Sequence, residues 1–184
     1  MSIRSKATVE KLAGGALEKA GIKEAPVPVE EVAVRLGFQV VSRFFDDDNL
    51  SGTVFRDAHG DVVIGINTLH SPVRQRFSVA HEIGHALMHL AKGEALIVDP
   101  PMRSFFNRDE LASLGQDSNE IEANQFAAAL LMPAAFVSQE GAEFLSKSST
   151  STVDALVESL ARRFEVSAQA IKFRLVNLGV IEPD

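Results

Sequence analysis

Apolar residues along this chain recur at two periods, and the switch between them marks out the elements. Val9, Leu12, Ala13, Ala16, Leu17 and Ala20 follow helical spacing over residues 6–21, with Gly21 as a stop and Gly14-Gly15 as a weak point. Pro26-Val-Pro28 reads as an extended link, and Pro28 starts a second helix from Val29 to Leu36 that Gly37 ends. Phe38 to Phe44 reads as a strand. Gly52-Thr-Val-Phe-Arg56 and Asp61-Val-Val-Ile-Gly-Ile66 read as the two arms of a hairpin, joined by Asp57-Ala-His-Gly60 with His59 at its surface tip. Ser71 followed by Pro72 is a cap and first turn for a long helix, expected to reach about Ala91 and to end near Gly93. A further helix runs from Asn119 to the stop at Pro133. Residues 94–117, with Pro100-Pro101 and paired phenylalanines at 105 and 106, read as a long irregular loop suited to one wall of a cleft. Leu145 to Ser151 reads as a polar loop, and Val153 to Val180 as two helices around Phe164-Glu-Val-Ser167. The fold class expected is α+β: a short antiparallel sheet beside helices, ending in a helix-turn-helix-like pair.

The length of 184 residues suits a core of residues 1–149 carrying a helical segment, 150–184. No apolar run is long enough to cross a bilayer and the first residues carry no export signal, so a cytoplasmic protein is expected. There is no cysteine, so any metal must be held by histidine and carboxylate. A net charge of −7 argues against general nucleic-acid binding. Asp46-Asp-Asp-Asn49 reads as a solvated acidic turn. In 150–184, Arg162, Arg163, Lys172 and Arg174 face Asp154, Glu158, Glu165, Glu182 and Asp184, so that segment is not basic either. It is expected to pack or dock rather than read DNA.

Chemistry concentrates in His81-Glu82-Ile83-Gly84-His85. Residues four apart on a helix share a face, so His81 and His85 can aim one ring nitrogen each at a single metal ion. Glu82 reaches the same space from the side, where it suits a general base better than a ligand. His89 continues the spacing but lies about 12 Å from His81 along an unbroken helix, too far to join them on one ion. A supporting or surface role is expected for it. A third ligand is therefore needed from elsewhere. Glu120 and Asn124 share a face of the next helix, which lets Glu120 bind the metal while Asn124 hydrogen-bonds a ligand histidine. Glu122 is the rival, pointing about 160° away from Glu120, so that only one of the two can face the site. With no tyrosine in the chain, the group that helps stabilise an oxyanion falls to His70, His89 or an arginine.

The run Arg76-Phe-Ser-Val-Ala-His-Glu-Ile-Gly-His, then Glu120-x-x-x-Asn124-x-Phe-Ala-Ala-x-Leu-Leu-Met-Pro133, resembles the ImmA/IrrE family of zinc-dependent metallopeptidases. The lead-in Pro28-Val-Glu-Glu-Val-Ala-Val-Arg-Leu-Gly37 is similar to that family too, and the likeness extends over about residues 7–181. The resemblance implies a small thermolysin-like core, with His81, His85 and Glu120 as metal ligands and Glu82 as base. Zinc is the metal it implies, with manganese or another divalent ion as the alternative. It also implies a protein substrate, a repressor of the Xre helix-turn-helix type, whose cleavage releases stress or mobile-element genes. The edge of the 61–66 strand is the place expected to take up an extended peptide. Two other classes stay open. One is a regulator using its C-terminal helices on DNA. The other is a non-proteolytic module of toxin–antitoxin type that binds its partner without cutting.

Overall fold

A computed structural model describes residues 4–45, 50–90, 96–98, 118–147 and 152–183. Among them are seven helices and four strands in the order α1 (Lys6–Ala20), α2 (Val29–Arg35), β1 (Phe38–Arg43), β2 (Gly52–Arg56), β3 (Val62–Asn67), α3 (Pro72–Met88), β4 (Leu96–Val98), α4 (Ser118–Leu131), α5 (Ala134–Lys147), α6 (Val153–Phe164) and α7 (Ala168–Asn177). The acidic turn at 46–49 and most of the 94–117 loop lie outside the described residues.

Local chemistry explains most of the boundaries. Ser5 caps α1, which passes through Gly14-Gly15 because Val9, Ala13, Ala16, Leu17 and Ala20 are all buried on one side. Gly21, at φ 71°, then closes it in the left-handed region. Asp57 organises the hairpin turn: its Oδ1 accepts from the backbone N–H of His59 (2.8 Å) and of Asp61 (2.9 Å). Ser71 Oγ accepts from the N–H of Arg74, and Pro72 occupies the first turn of α3. That helix ends at Met88 rather than near Ala91: the N–H groups of His89 (2.8 Å) and Leu90 (2.9 Å) both close on the carbonyl of His85. Pro133 stops α4 but also opens α5, since the Val137 N–H bonds the Pro133 carbonyl at 2.9 Å. Helix α5 at 134–147 is not expected from the sequence pattern; Leu145 to Lys147, expected to open a polar loop, form its last turn, and the rest of that stretch, 148–151, lies outside the described residues.

The sheet has the order β1-β3-β2-β4. The hairpin pairs β2 with β3 antiparallel, and β4 adds antiparallel to β2, but β1 runs parallel to β3. The sheet is thus mixed, not purely antiparallel. It also leaves β3 no free edge, which corrects the expectation that a peptide adds there. All six β3 residues are buried, and the nearly continuous apolar run Val-Val-Ile-Gly-Ile is the mark of a strand covered on both sides.

Helix α3 lies between this sheet and α4, and α1 covers α4 from the other side. One continuous core joins these layers through Ile64, Ile83, Phe126, Leu130 and Leu131 and extends into the last two helices through Leu160, Phe164, Ile171 and Leu175. Gly84 allows the close approach of α3 to α4: a Cβ there would meet Phe126 Cβ and Cδ1 at 3.2 Å and Ala123 Cα at 3.3 Å. The C-terminal pair is anchored by arginines. Arg76 on α3 donates to the carbonyls of Val27 (3.0 Å) and Phe164 (3.4 Å) and pairs with Glu165 (3.2 Å). Arg174 on α7 is 3% exposed; its Nε donates to the Met132 carbonyl at 2.8 Å and its two terminal guanidinium nitrogens pair with Glu10, one at 2.9 Å. Arg163 is paired with Glu140 at 2.7 Å. Two of the four basic side chains of this segment therefore hold the fold together. No single helix among the described residues is long and apolar enough to cross a membrane.

Candidate metal centre

The middle of α3 carries both histidines into the interior, where His81 and His85 are 2% and 1% exposed. Their Nε2 atoms stand 2.9 Å apart. Glu120, in the first turn of α4, brings its carboxylate to the same point, with Oε1 at 3.1 Å from His85 Nε2 and Oε2 at 3.4 Å from His81 Nε2. These three residues form the one group among the described residues whose ligand atoms are close enough to share a metal ion.

The hydrogen bonds behind the rings decide which nitrogen carries the proton. His81 Nδ1–H donates to Asn124 Oδ1 at 2.9 Å, one turn along α4 from Glu120, and this leaves His81 Nε2 with a bare lone pair. On the other side, His89 Nε2–H donates to Glu122 Oε2 at 3.0 Å. His89 Nδ1 is then an acceptor, and the group it accepts from is His85 Nδ1–H, at 3.0 Å. That leaves His85 Nε2 bare as well. Two imidazole lone pairs and a carboxylate thus converge on one point. Without a cation such a cluster must take up a proton; with one it need not. Ligands about 2.0–2.1 Å from a tetrahedral ion stand about 3.4 Å from one another. The observed separations of 2.9, 3.1 and 3.4 Å need only a few tenths of an ångström of relaxation to fit. Burial would raise the Glu120 pKa, but hydrogen bonds and charge from His81 and His85, when a proton sits on their Nε2 atoms, outweigh it and hold the carboxyl well below its usual range. The donor set is one that zinc accepts.

Glu82 is wholly buried on α3 beside the first residue of β2. Its carboxylate lies where a side chain on Gly52 would stand: an added Cβ would be 2.7 Å from Oε1. The missing side chain of Gly52 is what gives Glu82 its place. No sequence signal singles out Gly52, because the contact joins residues thirty positions apart in different elements.

Glu122 takes a role other than that of the rival ligand considered for it from sequence. It does face away from the Glu120 cluster, yet it is 2% exposed and joins the centre from behind through His89. Arg4 holds it in turn, pairing with its carboxylate through both backbone N–H and guanidinium, while Arg4 Nη2 donates to the Met88 carbonyl at 2.9 Å. With both ring nitrogens engaged, His89 is not available as an oxyanion donor. Arg76 is committed to Val27, Phe164 and Glu165. His70 sits in the turn before α3, where its carbonyl accepts from Gln75 at 2.6 Å.

Residues 33–176 match the peptidase family described as the IrrE N-terminal-like domain. The chain belongs to this family. Both site-bearing helices and the whole sheet fall inside the matched span. No curated protein sequence matches. Among solved structures, a Mycobacterium tuberculosis transcriptional regulator superposes with a TM-score of 0.56 at 17% identity, over 92% of this chain and 47% of that one. At that identity the likeness is one of fold, and the chain spans about half the length of the regulator.

Proposed function

We propose that this chain is a zinc-dependent endopeptidase with a thermolysin-like core, acting in the cytoplasm on a transcriptional repressor of the Xre helix-turn-helix type. The observation that carries this reading is the convergence of His81 Nε2, His85 Nε2 and the Glu120 carboxylate, with Asn124 and His89 turning both imidazole lone pairs inward. Membership of a peptidase family supports hydrolysis as the use of that centre. In this reading His81, His85 and Glu120 hold the metal, Glu82 is the base and Asn124 orients His81.

When bound, the metal supplies Lewis acidity toward the scissile carbonyl and toward the attacking water. Glu82 takes a proton from that water as its oxygen attacks the carbonyl carbon, then gives it to the amine as the C–N bond breaks. Burial of Glu82 and both histidines keeps bulk water from competing with these transfers. The helical segment 150–184 is assigned to packing and docking, in keeping with the inward commitment of Arg174.

The test combines metal content with cleavage of the repressor encoded beside the gene. Glu120→Ala is expected to lose zinc, and Glu82→Gln to keep zinc and stop cleavage. Zinc-loaded wild type that leaves the repressor intact, or cuts equally well as Glu82→Gln, would refute the peptidase reading and favour partner binding without cutting.

A further inference from the structure

The two ligand histidines are supported differently. His81 is fixed by a neutral amide, Asn124, on the helix that also carries Glu120. His85 is fixed by another histidine, which is itself held by a carboxylate that an arginine from the start of the chain holds in turn. We propose that Arg4, Glu122 and His89 form a positioning relay that sets the tautomer of His85 and so governs how tightly the centre holds its metal. The inference rests on the metal-centre reading above, but not on proteolysis.

Four observations carry it. The chain of contacts is continuous: Arg4 to Glu122, Glu122 Oε2 to His89 Nε2 at 3.0 Å, and His89 Nδ1 to His85 Nδ1 at 3.0 Å. Beyond Arg4, whose side chain is 33% exposed, it is dry, since the side chains of His89 and Glu122 are 4% and 3% exposed. Its direction is set by its ends. A carboxylate only accepts, so a neutral His89 must donate from Nε2 and accept at Nδ1, and His85 must then donate from Nδ1. Finally, His89 stands at the end of α3, where its backbone N–H closes on the His85 carbonyl, so the two residues are tied through main chain and side chain together. Carboxylates that hold a metal-ligating histidine are common; here a second imidazole is interposed, which lets Glu122 act from the far side of the helix.

The experiment measures zinc affinity by chelator competition, with imidazole ¹⁵N spectra of the same proteins. His89→Leu is expected to weaken zinc binding by about 10- to 100-fold. His89→Gln, whose amide can accept from His85 and donate to Glu122, should recover much of that loss. Glu122→Gln should weaken binding in the wild-type background and add little once His89 is Leu, because Glu122 acts through His89. A merely structural role would leave the two losses additive. The spectra should report His85 protonated at Nδ1 and His89 at Nε2. Wild-type affinity in a folded His89→Leu protein, additive losses, or the opposite tautomer for His85 would each overturn the relay. Should His89→Leu fail to fold, Glu122→Gln and Arg4→Ala carry the same measurement. Wild type that takes up no zinc would defeat the proposed function and the relay together. Zinc-loaded protein that never cleaves would leave the relay standing.

Discussion

Substituting Gly52 by alanine isolates the placement of Glu82 from the holding of the metal. The new Cβ would lie 2.7 Å from Glu82 Oε1, 3.1 Å from Cγ and 3.3 Å from Cδ. An ordinary carbon–oxygen contact is about 3.4 Å, so the carboxylate must retreat by about 0.7 Å. The obstructing atoms are the end of a rotatable side chain, and Gly52 has no positive φ, so the fold yields at small cost. The reaction does not have that freedom. Glu82 is wholly buried between α3 and the sheet, and a base displaced by about 1 Å can lose about 10²-fold in rate. We expect Gly52→Ala to lower kcat/KM for repressor cleavage by about 10- to 100-fold, while zinc content and Tm stay close to wild type. The loss should fall on kcat, because the proton transfer is affected and the metal ligands are not. Peptide-bond cleavage followed by mass spectrometry, with metal content on the same samples, makes the comparison. Full activity in Gly52→Ala beside an inactive Glu82→Gln would refute the reasoning, as would loss of zinc.

Three further outcomes are expected. Gly84→Ala differs from Gly52→Ala because its Cβ meets Phe126 and the backbone of Ala123, which cannot swing aside; a loss of about 1–3 kcal/mol in urea unfolding is expected, and an unchanged midpoint would count against tight α3–α4 packing. Asn124→Leu removes the acceptor for His81 Nδ1–H and should weaken zinc by about 10- to 100-fold, with Asn124→Asp restoring most of it; chelator competition decides. Zinc at a hundredfold excess over its Kd should stabilise wild type by about 2.7 kcal/mol, seen as a raised Tm that chelation reverses. The same addition should leave Glu120→Ala unmoved, and an equal rise in both proteins would place the ion elsewhere.

What was legible in sequence is what one or two turns of chain decide for themselves. The Ser71-Pro72 start, the Gly21 and Gly37 stops and the Asp57 turn are encoded within a few residues, since a cap or a left-handed glycine acts on its own backbone. The His81 and His85 spacing follows from the helical repeat in the same way, and Asn124 could be paired with Glu120 because they too are four apart. Only the tertiary structure decided the partners. β1 comes to lie parallel to β3, which turns the supposed edge strand into a central one, because strand pairing depends on the whole path of the chain. Gly52 clears the space for Glu82 across two elements. Arg4 reaches Glu122 over 118 positions, and through it His89 and His85. A helical repeat says which side chains share a face. It does not say which other surface that face will meet, because that is settled by the burial of the core as a whole.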